Sequence, residues 1–432
     1  MGASPLNAPA RHVVLISIDA LRPEFFLEST WPAPTLQRLA SGGALIPRLR
    51  SVTPSLTYPA HATLATGALP ARHGIVYNRP FEAKGTSDRW HWASEGLRSP
   101  PLWEAVRLAG GRSASVTWPV TVGAEIEWNV PEVWDPFGRV PQLELVRRHT
   151  TPPGLLDELE REATGPLTPD VLRGRDLARA EAMSAMGGYL LETYRPDLLM
   201  IHFVVTDAHQ HAEGREGPGV RRAVAAVDRA VGRMVDAARR AGLLERTAFV
   251  ITGDHGFLDV HAVLAPNVWL AEAGLRSSDS GRGEWRATFH VEDGAAFLHL
   301  RESGDVEGME RVRRVLEAVS ARVRRSFRVV EKDELDARGA APEAALALTA
   351  AAGTAFTEDA GGKPIRDGSG GAHGHFPDLP EMDTGLLAWG SGIRAGGRLP
   401  VAELTDVAPL VAALLGADFV APDGHLPREL LD

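Results

Sequence analysis

Three aspartates in this chain stand at or just after the ends of short apolar runs, and two of them have a histidine close behind. His12-Val-Val-Leu-Ile-Ser-Ile18 runs into Asp19, Asp197-Leu-Leu-Met-Ile-His-Phe-Val-Val205 into Thr206-Asp207, and Thr247-Ala-Phe-Val-Ile-Thr-Gly253 into Asp254-His255-Gly256. Asp207-Ala-His-Gln-His211 sets a carboxylate and an imidazole four residues apart, on one face if the segment is helical. Carboxylate oxygen and imidazole nitrogen are the donors zinc takes where no thiolate is on offer. One aspartate after a strand is commonly a turn or cap residue. Three of them, two with histidine attached, point to a shared site. With His373 in Gly371-Ala-His-Gly374 the donors are Asp19, Asp207, His211, Asp254, His255 and His373. That set suits two divalent ions with three protein ligands each, leaving room for a nucleophile, water and substrate.

A second stretch is Thr53-Pro-Ser-Leu-Thr57-Tyr-Pro-Ala-His61. A hydroxyl at a helix start between two prolines is positioned by the backbone and exposed to the positive end of the helix dipole. An ordinary N-cap threonine accounts for the same pattern, and composition and periodicity do not choose between the two.

The elements that must carry these residues are legible in outline. The runs before Asp19, Asp207 and Asp254, together with Gly385-Leu-Leu-Ala-Trp389, read as buried parallel strands, nearly continuous in apolar residues. Helices are expected over Val220–Arg240, where Val224, Val227, Val231 and Val235 repeat on one face and Gly242 follows as a stop, and over Pro34–Ala40 and Val407–Leu415. The alternation implies an α/β fold with a doubly wound, mostly parallel central sheet flanked by helices, whose sites lie at the carboxyl ends of strands. Residues 271–349 read as a small β-β-α-β insertion: strands at Thr288–Val291 and Ala295–Leu300, a basic helix from Met309 to Arg325, and a strand at Phe327–Val330. Residues 1–270 and 350–432 then form the catalytic core.

Composition narrows the function. The 432 residues carry 46 Lys+Arg against 56 Asp+Glu, a net charge of −10, which speaks against stable nucleic-acid binding. The absence of cysteine removes disulfides, thiolate metal sites and a cysteine nucleophile. No export signal and no long apolar span is visible, so a cytoplasmic protein without membrane attachment is expected, as a monomer or homodimer. His-Glu-x-x-His is missing, which sets a zinc peptidase aside.

Taken together, Asp19, Thr57, Asn78, Asp207/His211, Asp254-His255-Gly256 and His373-Gly374 resemble the alkaline phosphatase superfamily, and within it the nucleotide pyrophosphatase/phosphodiesterase (type I phosphodiesterase) family. The similarity runs from about residue 12 to 270 and again from about 370 to the end. The resemblance implies two Zn²⁺ ions, with Mn²⁺ or Fe²⁺ as alternatives for the same donors. Asp207, His211 and His373 would hold one ion; Asp19, Asp254 and His255, with the Thr57 oxygen, would hold the other. It further implies Thr57 as the nucleophile of a phosphothreonine intermediate, Asn78 as a contact to a phosphate oxygen, and Tyr58 as the aromatic against a small phosphodiester or nucleotide substrate. Threonine without cysteine separates the chain from sulfatases and from the serine enzymes of the superfamily. Phosphonoacetate hydrolase-like or phosphomonoesterase chemistry on the same two-metal site is the alternative, and an inactive metal-stabilised binding protein a remote one. The chain departs from the family at Asp19-Ala-Leu-Arg22, where Asp-Gly-x-Arg is usual, and at Asp207-Ala-His-Gln-His211, which places His209 beside the expected ligand. His375, where relatives carry Tyr, is expected in a supporting or substrate-facing place, and His61 in a structural one.

Overall fold

The structure is a computed structural model and describes residues 9–82, 85–87, 89–169, 171–172, 174–278 and 284–432. Eight strands form the central sheet: β1 (His12–Ile18), β2 (Ala44–Arg50), β3 (Ser113–Val116), β4 (Trp128–Val130), β5 (Leu198–Phe203), β6 (Thr247–Thr252), β7 (Thr384–Gly390) and β8 (Ala402–Glu403). Their spatial order is β8-β2-β7-β6-β1-β5-β3-β4. The fold is therefore α/β, with β1 in the middle and parallel to β5 on one side and β6 on the other.

Successive side chains of a strand point to opposite faces, so a strand buried on both sides must be apolar at almost every position. β1 meets that requirement. Val14, Ile16 and Ile18 enter one core with Met183 and Leu190 of α3 (Ala178–Thr193) and Val224 and Val231 of α5 (Pro218–Arg240). Val13 and Leu15 enter the other, with Ala60 and Leu64 of α2 (Thr57–Thr66) and Leu410 and Leu414 of α6 (Val407–Leu415). The remaining helices used below are α1 (Pro34–Gly42) and α4 (Val205–Glu213). All four valines expected on the inner face of α5 are buried, and Gly242 (φ +69°) ends that helix in the left-handed conformation.

Two elements differ from the sequence reading. β7 is antiparallel to β6 and β2, not parallel. Its first residues pair beside Thr252, at the end of the sheet where His373 lies, so the chain enters from that end and must run back. An apolar run buried on both faces reads the same in either direction. The expected helix from Met309 to Arg325 is two helices, Val306–Ala318 and Ala321–Arg324, separated at Val319 and Ser320. Serine competes with the helix backbone for hydrogen bonds and favours a new start. The strands Ala287–Glu292, Ala295–Leu300, Leu346–Ala350 and Phe327–Glu331 form a second, antiparallel sheet in that order. Leu346–Ala350 was not read as a strand, and it crosses the expected boundary at residue 349. Among the described residues no helix is long and apolar enough to cross a membrane.

The turn after β1 carries backbone strain. Ala20 lies at φ +57°, a region an L side chain enters at a cost of about 1–2 kcal/mol. Its N–H donates to Asp254 Oδ1 at 3.0 Å, which explains why the conformation is kept. Ala20→Gly should therefore raise the urea unfolding free energy by roughly 0.5–1 kcal/mol with the m-value unchanged; a loss of stability would show that the turn is unstrained.

Candidate active site

The site lies at the carboxyl ends of β6, β1 and β5. Adjacent strands run about 4.8 Å apart, so residues leaving three neighbouring parallel strands at the same end are close in space. Asp19 follows β1, Asp254 follows β6, and Asp207 sits in the first turn of α4 after β5, with His211 one turn later. His373 arrives from elsewhere: Gly371–Ala372 pairs antiparallel with Leu258–Asp259 beyond β6 and sets the histidine down among the others. A Cβ at Gly371 would meet the Phe257 ring at 2.7 Å, so the close approach requires glycine.

The six expected donors converge. His255 Nε2 is 3.5 Å from Asp19 Oδ1 and 3.4 Å from Asp254 Oδ2. Asp207 Oδ1 is 3.4 Å from His211 Nε2 and 3.7 Å from His373 Nε2, and the rings of His255 and His373 stack at 3.7 Å. Asp207, His211 and His373 make one compact donor group; Asp19, Asp207 and His255 make another; Asp254 also groups with His61 and His202.

Each ligand-type histidine is oriented by its other nitrogen. Nδ1 of His211, His255 and His373 lies 3.2, 3.0 and 2.9 Å from the carbonyls of Gly371, Gly256 and Ser55. A carbonyl can only accept, so Nδ1 carries the proton and the Nε2 lone pair is free, the arrangement usual behind a metal-ligating histidine. Asp19 Oδ1, Asp207 Oδ1, Asp254 Oδ2 and His255 Nε2 are buried without a hydrogen bond. Orphaned atoms of this kind in a dry interior are costly. A pair of divalent cations would satisfy them, and the all-N/O donor set fits such ions.

The electrostatics agree. Burial, followed by the charges of Asp207 and Asp254, pushes the Asp19 carboxyl well above the usual range. Burial raises Asp207 as well, against the pull of His211 and His255. Asp254 is lowered in spite of its burial, because His255, His61 and His202 surround it and Ala20 N–H donates to it. His373 is held well below its ordinary value by burial and by His255 and His211.

Thr57 is the first residue of α2; the N-cap is Leu56, which offers no side-chain cap. The threonine is therefore not an N-cap, and among the described residues its hydroxyl makes no hydrogen bond. Asn78 Oδ1 accepts the Tyr58 N–H at 2.9 Å, which leaves its amide N–H groups for another partner. Tyr58 is fully buried, its ring edge-on to Trp90 at 5.1 Å. Asp19, Thr57, Tyr58, Asp207 and His211 all line one cleft of about 910 Å³, together with Trp90, Trp134 and Phe137.

The structure separates the uncertain neighbours. His209 turns to the Arg175 carbonyl, 3.2 Å from its Nε2, leaving His211 to the donor group. His375 is buried with Nε2 2.8 Å from the Thr354 carbonyl and does not face the cleft. Of the cations that lie near these residues in sequence, Arg22, Arg79 and Lys84, Arg22 bonds the Arg215 carbonyl and Glu216. Arg79 pairs with Glu358, and Lys84 lies outside the described residues. Sequence reasoning missed His202, Glu132 and Arg179. His202 bridges Glu132 Oε2 (2.9 Å from Nδ1) and Asp19 Oδ2 (3.3 Å from Nε2). Burial opposes its charge, yet hydrogen bonding to those two carboxylates lifts it to about 10. The available signal was a histidine inside an otherwise apolar strand.

Two outcomes are expected. Glu132→Gln, by loosening His202 behind Asp19, should weaken divalent-metal affinity about 10–100-fold in competition with a chelator dye; unchanged affinity would make the network purely structural. Asp19 and Asp207 have folded-state pKa values above their unfolded ones, so their contribution to metal-free stability is greatest at low pH and is lost as pH rises from the unfolded carboxylate range, about 4, through the folded values. Melting temperature with and without chelator, measured from pH 5 to pH 8, should diverge as pH rises; a constant difference would contradict it.

The family profile described as "Type I phosphodiesterase / nucleotide pyrophosphatase" matches residues 13–375. Ectonucleotide pyrophosphatase/phosphodiesterase family member 3 of Bos taurus is 24% identical over 252 residues, 56% of this chain and 24% of the relative. Venom phosphodiesterase 2 of Crotalus adamanteus is 23% identical over 254 residues, 57% of this chain and 27% of the relative. The chain thus spans about a quarter of the length of these curated relatives. Human ectonucleotide pyrophosphatase/phosphodiesterase 5 superposes with a TM-score of 0.68 at 18% identity, over 95% of this chain and 96% of that one. The murine counterpart, solved as an inactive threonine-to-alanine variant in complex with AMP, gives 0.66 at 18% identity, with the same coverage. The chain belongs to the type I phosphodiesterase/nucleotide pyrophosphatase family.

Proposed function

We propose that this protein hydrolyses phosphodiester or nucleotide pyrophosphate bonds, with Thr57 as nucleophile and two divalent ions, zinc by preference, held at the donor cluster. One observation carries the reading: an uncommitted threonine hydroxyl at a helix N-terminus opens into the same cleft as Asp19, Asp207 and His211. Asp207, His211 and His373 would hold one ion, and Asp19, Asp254 and His255, with the Thr57 oxygen, the other. Bound there, the ions would lower the pKa of the hydroxyl and neutralise charge on the phosphoryl oxygens.

The chain's own groups then divide the work. Thr57 Oγ1 attacks phosphorus in line and loses its proton; the Oγ1–P bond forms, the bond to the departing oxygen breaks, and that oxygen takes up a proton. Water cleaves the phosphothreonine and Thr57 regains its proton. The Asn78 amide, fixed by its bond from Tyr58 N–H, donates to a non-bridging oxygen. The Thr57 N–H, in the first turn where no intrahelical carbonyl is within reach, donates to the same group. Trp90, Trp134 and Phe137 offer the cleft aromatic surface suited to a substituent such as a base, with the buried Tyr58 ring packed edge-on against Trp90, in keeping with the AMP held by the murine relative.

Hydrolysis of bis-p-nitrophenyl phosphate, p-nitrophenyl phosphate and thymidine 5′-p-nitrophenyl phosphate by the zinc-loaded protein tests the reading. The diesters should win in kcat/KM, the nucleotide most of all; preference for the monoester would keep the site and overturn the substrate class. Thr57→Ala should lower kcat by at least about 10³-fold and abolish the burst. A burst retained in that variant would remove Thr57 as nucleophile. Asn78→Ala should lower kcat about 10²–10³-fold.

A further inference from the structure

Arg179 is the second residue of α3, 94% buried by its 6% relative exposure, and it lines the same cleft as Asp19, Asp207 and His211. Its position is expensive in three ways. A cation in the first turn of a helix opposes the helix dipole. A buried guanidinium is costly unless paired. Here its Nε has no hydrogen bond, and no ion pair reaches the side chain among the described residues. The acidic groups that influence it are otherwise engaged: Glu132 bonds His202, and Asp19 belongs to the donor cluster. It is not alone. Trp90, which lines the same cleft, has its Nε1 likewise buried without an acceptor. A guanidinium without an ion pair among the described residues thus lines a cleft of about 910 Å³, beside an indole N–H that also lacks an acceptor, and an acceptor-rich anionic group would complement it.

We propose that Arg179 reads a second anionic group, a phosphate, carried by the substituent of the diester that occupies this cleft. The inference rests on the phosphodiesterase reading and adds the substrate class: diesters whose retained substituent bears its own negative charge are preferred over neutral ones, and those with a cationic substituent are disfavoured. A guanidinium held in a low-dielectric wall can form charge-assisted hydrogen bonds to phosphate that a neutral hydroxyl cannot replace.

The test compares kcat/KM of the zinc-loaded protein for thymidine 5′-p-nitrophenyl phosphate, its 3′-phosphorylated form and p-nitrophenylphosphocholine. The 3′-phosphorylated substrate should lead the neutral one by at least about 10-fold, with the choline ester last. In Arg179→Gln the ratio should fall towards one, and Arg179→Lys should keep part of it. Equal values in the natural protein overturn the proposal without any variant having to fold. A uniform loss across the three substrates in Arg179→Gln also overturns it, because the guanidinium would then act at the scissile phosphoryl group. Calorimetry on zinc-loaded Thr57→Ala gives a readout without turnover: thymidine 3′,5′-bisphosphate should bind more tightly than thymidine 5′-monophosphate, and equal binding overturns the proposal. Absence of hydrolysis of every diester, with the bisphosphate still preferred in binding, would overturn the phosphodiesterase reading and leave Arg179 in its assigned role.

Discussion

Three carboxylates brought together in a water-poor pocket repel one another, and most of the surrounding structure can be understood as the means of keeping them there. Asp19, Asp207 and Asp254 leave three adjacent parallel strands at the same end, and the register of β1 with β5 and β6 fixes their spacing. Like charges at such distances in low dielectric destabilise one another strongly. The backbone therefore has to be clamped. Thr206 Oγ1 donates to the Asp19 carbonyl at 2.5 Å, Ser51 Oγ to the Asp254 carbonyl at 2.5 Å, and Gln210 Nε2 to the Ala20 carbonyl at 3.1 Å. Each of these bonds holds the main chain beside a carboxylate, and the left-handed turn at Ala20 directs a further N–H onto Asp254.

The same constraint shapes the second layer of residues. His202 is sandwiched between Asp19 and Glu132, so one positive charge serves two buried carboxylates. His211 and His373 are locked through Nδ1 to the carbonyls of Gly371 and Ser55, far away in sequence, and His255 to that of its neighbour Gly256, so two of the three depend on distant loops. His373 shows this most clearly. Its carbonyl accepts Gly294 N–H from the turn of the second sheet, and its Nδ1 meets Ser55 just before α2. The segment that carries the hydroxyl and the segment that carries the last histidine are thereby fixed to each other, and the second sheet buttresses both.

The cleft divides by chemistry. Its lining combines Asp19, Asp207 and His211 of the donor cluster and Thr57 with the aromatic side chains of Trp90, Trp134 and Phe137. A substrate with a phosphoryl group and a flat substituent can engage both sets of groups at once, which converts binding of the substituent into orientation of the reacting phosphorus.

Apolar patterning and local spacing were enough to place the metal-type donors. The strands ending at Asp19, Asp207 and Asp254, the inner face of α5, and the sharing of Asp207 with His211 are local facts, because strand and helix periodicity determine them within a few residues. The direction of β7 was not legible, since a run buried on both faces carries no sign of which way it travels. Nor did periodicity show whether Thr57 caps its helix, which depends on Leu56 occupying the N-cap. His202, Glu132 and Arg179 come from three segments with no shared motif, and each would pass as an ordinary core, surface or helix residue in isolation. What the chain by itself determined was which donors exist and on which elements they ride; what only the tertiary structure decided was which of them meet, because burial and unsatisfied polar atoms are properties of packed neighbours and not of any one segment.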